Sequence, residues 1–177
     1  CPRPTKNLPP PSATSTMLWG AFVDHGLTQT VNFEAMVGRQ MDMQAVFASW
    51  GENNGAFPMN YAPLIRDKGK TMILFWDPND ASSSPNDSRY SNDTIINGSW
   101  DSYIKSFARQ IIQYGGPVIL VPMEEMNGRW FPWNGTVNNN SAAKFITAWR
   151  RIHDLVIAEG ATNGKWGWAV NSNSVPD

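Results

Sequence analysis

The sequence predicts an α/β protein, a parallel sheet covered by helices, built as a (β/α)8 TIM barrel of which this chain supplies about the first five βα units. Three observations predict it. Apolar runs of strand length alternate with segments whose apolar residues recur at helical spacing, the pattern of repeated βα units. Polar and aromatic residues gather where each apolar run ends, as expected of a barrel with its cleft on one rim. A Gly-x-Gly-x-x-Gly fingerprint is absent, which makes a dinucleotide-binding sheet the weaker candidate.

Bulk properties narrow the function classes. At 177 residues the chain is one domain's worth, long enough to bury a sizeable core. A net charge of −1 and a charged fraction of 16% give no sign of a nucleic-acid or acidic-polymer partner. No apolar run approaches the length of a membrane span. Nine tryptophans are many for such a chain. Some must serve the core, since the ring buries much apolar area. Those beside polar residues at strand ends favour a sugar-binding cleft.

The single cysteine, Cys1, leaves no internal disulfide. It is either the lipid-attachment residue of a bacterial lipoprotein or an arbitrary first residue. Residues 1–16 hold five prolines and read as a semi-rigid, extended linker, so the barrel domain runs over 17–177. Asn-x-Ser/Thr sequons stand at Asn86, Asn92, Asn97, Asn134 and Asn139 and matter only in a eukaryotic secretory pathway.

The first strand is expected over 17–23, ending at Asp24-His25-Gly26, where His25 either lines the cleft or is a plain loop histidine. A short helix follows over 32–39. The second strand, 44–50, ends at Trp50, Glu52 and Asn53. A helix around 60–68 closes at Gly69. The third strand, 71–76, ends at Asp77-Pro78. Residues 79–98 read as a polar loop too long for a mere connector, forming one wall of the cleft. Its carboxylates Asp80, Asp87 and Asp93 fit no calcium-loop signature, and a solvated loop is the preferred reading.

A helix over about 99–114 places Trp100, Ile104, Phe107, Ala108 and Ile111 on one face, capped by Gly115-Gly116. The fourth strand is the apolar run 117–123. Ser141 N-caps the next helix, whose apolar face is Phe145, Trp149, Ile152 and Val156, with Gly160 as its stop. Trp149 reads as core and His153 as a surface or satisfied histidine. The fifth strand, 165–170, puts Trp166 and Trp168 on one face and leads into Asn171.

The chemistry concentrates after the fourth strand, in Glu124-Glu125-Met126-Asn127-Gly128-Arg129-Trp130-Phe131-Pro132-Trp133. A carboxylic acid at the carboxyl end of a parallel strand, beside flat aromatic faces, suits cleavage of a glycosidic bond: the acid protonates the leaving oxygen and the aromatic faces hold sugar rings. Adjacent strand residues point to opposite faces, so Glu124 is expected to make a polar contact that raises the pKa of Glu125.

This stretch resembles the acid/base motif of glycoside hydrolase family 26, whose members commonly read His-Glu-Met-Asn-Gly, then Trp-Phe and a further Trp. Trp76-Asp77-Pro78 and the Trp168-x-x-Asn171 spacing also resemble that family. Glu124 stands where the family commonly has His, and Val121 where many members have Arg. The resemblance implies a (β/α)8 barrel and a secreted or cell-surface endo-acting retaining β-glycoside hydrolase, with β-1,4-mannan as first substrate and mixed-linkage β-glucan as second. It makes Glu125 the general acid/base. Glu124, Asn127, Trp130, Trp133, Trp76, Asp77, Trp168 and Asn171 become candidate substrate-binding residues, with no cofactor and no metal.

The family's nucleophile, a second Glu after strand seven, has no counterpart here. A closed barrel takes ~250 residues, and a retaining site needs two carboxyl groups ~5–5.5 Å apart. Three readings stand open: the first five units of a longer enzyme, self-association or pairing with a complementary C-terminal fragment, or a non-catalytic carbohydrate-binding half-barrel. The first is preferred, because unpaired first and fifth strand edges would invite aggregation.

Overall fold

The computed structural model describes residues 17–24 and 26–173. Its elements, in order, are β1 (Gly20–Ala21), α1 (Leu27–Val37), β2 (Met43–Ser49), α2 (Ala62–Asp67), β3 (Thr71–Asp77), α3 (Asn92–Ile96), α4 (Asp101–Tyr114), β4 (Val118–Pro122), α5 (Ala142–Ala158) and β5 (Gly164–Trp166), with 3-10 turns at Asn53–Gly55 and Ser88–Tyr90. The five strands pair in chain order, β1-β2-β3-β4-β5, and every pairing is parallel. This is the α/β architecture that the alternating pattern predicts.

The sheet has two unlike faces, because side chains alternate along a strand. Val46, Met72, Leu74, Trp76 and Leu120 point into one core with Ile104, Phe107 and Ile111 of α4 and Phe145, Ala148 and Ile152 of α5. The opposite face carries Phe47 stacked on Phe75 at 4.7 Å, with Phe22 edge-on to Phe47 at 5.0 Å. Phe22 and Phe47 are exposed.

Several boundaries move from their expected places. The first strand shrinks from seven expected residues to two. Ahead of it the Trp19 N–H is taken by the Asp42 carboxylate, and Met17 and Leu18 are exposed. Gly20 is required where it sits, since a Cβ there would lie 2.2 Å from the Met43 carbonyl oxygen. Helix α1 starts five residues before its expected first residue, 32, because the Gly26 carbonyl accepts both the backbone N–H and the hydroxyl of Thr30. The sequence pattern misses it, as Thr28, Gln29 and Thr30 interrupt the apolar spacing.

The 79–98 stretch is no solvated loop. It folds into a 3-10 turn and α3, and α3 packs on α5. Its carboxylates are engaged: Asp80 and Asp87 with Arg89, and Asp93 with Lys144. Strand β5 is three residues long, and only two of them, Lys165 and Trp166, fall in the expected span; beyond it one further bond, from the Gly167 N–H to the Leu120 carbonyl, ties the chain to β4. As expected, Ser141 caps α5, its side chain accepting from the Lys144 N–H, and Gly115 ends α4 in the left-handed conformation, φ 66°.

At the amino ends of β2 and β3, Lys70 is buried against Glu34, whose carboxylate also accepts the Met41 N–H at 2.7 Å, while the Lys70 ammonium donates to the Met41 carbonyl at 2.8 Å. A buried charge persists only when paired and hydrogen-bonded in this way. The polar content of this end is structural, leaving the carboxyl rim for chemistry. Among the described residues no helix is long and apolar enough to cross a membrane. The linker region, with Cys1, lies outside the described residues.

Candidate active site

Strand β4 ends at Pro122. Immediately beyond it Met123 and Glu125 take left-handed backbone conformations, φ 55° and 49°. The two adjacent carboxylates therefore sit in a turn, and the expectation that strand alternation separates them is corrected. Left-handed backbone at a non-glycine residue costs roughly 1–2 kcal/mol, so the turn must be held. The Glu125 N–H donates to the Ala169 carbonyl beyond β5 at 2.9 Å. The Glu125 carbonyl accepts from Gly128 N–H at 2.9 Å and from the Asn134 amide at 2.8 Å. Trp133 Nε1 donates to the Glu124 carbonyl at 2.7 Å.

The Glu125 carboxylate is gripped at both oxygens. Oε2 accepts from Trp130 Nε1 at 2.9 Å and Oε1 from Asn171 Nδ2 at 2.8 Å. Asn127 locks that second donor in place: its side-chain oxygen accepts the Asn171 N–H at 2.8 Å, and its amide donates to the carbonyls of Asn171 and Asn173. Glu125, Asn127, Trp130 and Asn171 are thus brought together. Asn127 is a strut between the β4 and β5 ends, its polar atoms already in use, rather than a free hydroxyl-binding group. Trp130 is 38% exposed, so part of its ring stands open on the rim.

Glu124 and Asp77 form the second layer. Burial, and then the neighbouring Glu125 charge, push the Glu124 carboxyl up to about 7. Asp77, the last residue of β3, is buried at 5% exposure. Burial and the charges of Glu124 and Glu125 drive its pKa well above the usual carboxylate range, against a backbone hydrogen bond from Glu124 that pulls it down.

Three predicted ring-stacking residues lie elsewhere. Trp76 is fully buried, stacked on Phe107 at 4.3 Å with its N–H on the Tyr103 hydroxyl. Even-numbered residues of β3 face the helices, so strand parity and not strand end decides its place. Trp133 is also fully buried, stacked on Phe131 at 4.4 Å. Trp168 is 54% exposed but packs against Phe145 and Trp149 of α5, on the helix side of the sheet. His25 lies outside the described residues.

The sequence reading missed the asparagine scaffold beneath the turn. Asn134 is buried, holding the Glu125 carbonyl and accepting the Phe131 N–H at 2.7 Å. Asn92 of α3, also buried, donates to the Trp133 carbonyl, and the Asn140 side chain bonds Pro132, Asn134 and the Asn92 N–H. Two of the five sequon asparagines are therefore structural. The available signal was the density of Asn in 134–140 directly after the acid motif. Among the described residues no group of three or more His, Cys, Asp or Glu could hold a metal ion.

Five parallel strands paired in chain order, with carboxylates on the carboxyl rim, fit part of a (β/α)8 barrel, and solved structures agree. A GH26 β-mannanase from Bacteroides ovatus superposes with a TM-score of 0.66 at 17% identity, over 89% of this chain and 54% of that one. A β-mannanase from a symbiotic protist of the termite Reticulitermes speratus, complexed with gluco-manno-oligosaccharide, gives 0.63 at 15% identity, over 86% and 56%. The Bacillus subtilis mannanase man26 gives 0.61 at 14%, over 88% and 55%. In sequence, the chain is 32% identical over 148 residues to Endoglucanase H of Acetivibrio thermocellus, spanning 81% of this chain and 15% of that protein. No family model matches.

In fold, then, the chain is similar to GH26 mannanases, and in sequence to an endoglucanase. It spans about half the length of those solved structures and about one seventh of the curated relative.

Proposed function

We propose that these five βα units carry the acid/base side of the active site in an endo-acting, retaining β-glycoside hydrolase of family 26. Glu125 protonates the leaving glycosidic oxygen. It then takes a proton from the water that hydrolyses the glycosyl-enzyme intermediate. One observation carries the reading: a rim carboxylate held at both oxygens by Trp130 and Asn171, in a turn strained into position rather than relaxed. The exposed part of Trp130 offers an apolar face to a sugar ring beside the acid. The substrate is a β-1,4-linked plant cell-wall polysaccharide, mannan or mixed-linkage β-glucan, and the enzyme acts outside the cell. The structural relatives are named mannanases and the sequence relative an endoglucanase, so both polymers belong in the assay. The nucleophile is a second carboxylate ~5–5.5 Å from Glu125, supplied by barrel units beyond these five.

The test is Glu125→Gln in the full-length protein, assayed on both polysaccharides. A fall in kcat of roughly 10²–10⁴-fold with oligosaccharide binding kept is the expected result. Unchanged turnover removes Glu125 from the mechanism. If the wild type binds oligosaccharide and hydrolyses neither polymer, the carbohydrate-binding half-barrel is the correct account.

A further inference from the structure

Asp77 occupies an unusual place for a carboxyl group. It is 5% exposed, at the end of a central strand. Its Oδ1 is buried with no hydrogen-bond partner. Its register neighbour on β2 is Ser49, which carries no charge. Across from it stand Glu124 and Glu125, the charged groups that act on it. The Lys and Arg ion pairs among the described residues all use other carboxylates. An ionised carboxylate without a cation, out of water and facing two more carboxylates, is a combination that proteins avoid by neutralising the group. Neutralised, Asp77 sheds that cost while still accepting the Glu124 backbone N–H.

We propose that Asp77 keeps its proton throughout the working pH range and acts, as a neutral acid, as a positioning residue. It fills the space behind the Glu124–Glu125 turn and braces that turn without adding a third negative charge to the acid/base site. This rests on Glu125 being the acid/base only for its effect on catalysis; the protonation itself does not depend on that reading. The burial of the site raises the Asp77 carboxyl in the same direction.

The experiment is carbon-13 NMR of the full-length protein labelled at aspartate carboxyl carbons. The Asp77 signal is assigned by its loss in Asp77→Asn, or in Asp77→Ser should the first variant not fold. A protonated carboxyl shift that does not move between about pH 4 and about pH 8 is the expected result. A titration midpoint in the ordinary aspartate range, near about 3.9, overturns the proposal.

The pH profile of kcat/KM supplies the functional half. Asp77→Asn, neutral and of the same shape, should leave the basic limb of that profile where it is, whatever turnover the variant retains, because no ionisation is removed. A basic limb displaced by about one pH unit or more would mean that the wild-type group is charged, and would also overturn it. Loss of activity in Glu125→Gln bears on the acid/base reading alone, so the two failures stay distinguishable.

Discussion

Two aromatic clusters flank the sheet's carboxyl end, and they do opposite work. The first, behind β2 and β3, joins Trp50, Trp76, Trp100, Tyr103 and Phe107 ring to ring. Trp50 and Trp76 are lost to solvent entirely or nearly so, and the cluster cements the sheet to α4. The second follows β4. Within it Trp133 is buried and stacked on Phe131 while Trp130 stands half open, its N–H spent on Glu125. Residue type is the same in both. What separates anchor from tool is which side of the strand, or which side of the turn, the ring leaves by.

That contrast can be broken at its strongest point first. Trp76→Ala should cost about 3–5 kcal/mol of stability, as large-to-small changes in a packed aromatic core do, read as a lowered urea midpoint. KM of whatever remains folded should hardly move. A stable Trp76→Ala protein with a raised KM would place Trp76 in the cleft after all.

Trp130→Ala should do the reverse. Stability should fall by less than in Trp76→Ala, since the ring is partly exposed and the main loss is one hydrogen bond to Glu125. Loss of one hydrogen bond to a charged group, about 1.5–3 kcal/mol, should lower kcat/KM by roughly 10–100-fold. Phe at 130 should recover ring binding and not the orientation of Glu125, so KM and kcat should separate.

The smallest effect concerns pH. Glu124 is raised in the folded protein from 4.5 to about 7, so the folded state holds a proton that the unfolded chain releases earlier. Its contribution to stability is present below about pH 4.5 and is lost as pH rises through about 7. Glu124→Gln should therefore flatten the stability profile across that window and leave the protein the more stable form at about pH 8. Equal slopes for variant and wild type would show Glu124 to be solvated.

The sequence exposed the skeleton well, because hydrophobic period is local information. Strands β2, β3 and β4 and helices α4 and α5 all stand within a few residues of their expected spans, since each carries an unbroken apolar pattern and a cap such as Ser141 or Gly115. What it hid was decided by distant partners. Strand β1 is short because Asp42 takes the Trp19 N–H, and α3 exists because Asn92 finds Trp133 and Asn140. The rim is split in the same way. Glu125, Trp130 and Asn171 converge on the rim through hydrogen bonds that the motif did not specify. The Asn134 clamp showed in the sequence only as a density of Asn after the motif, which names no partner, and Trp76, Trp133 and Trp168 were misplaced because strand-end position says nothing about which side a ring takes.

The left-handed backbone at Glu125 sets stability against selection. At φ 49° a glycine or an asparagine fits with less strain than any glutamate. A lineage chosen only for surviving heat would therefore be drawn away from the acid at this position, as strained functional sites are easily traded for sturdier ones. Glycine or asparagine at 125 should therefore relax this backbone while removing the carboxylate that Trp130 and Asn171 hold.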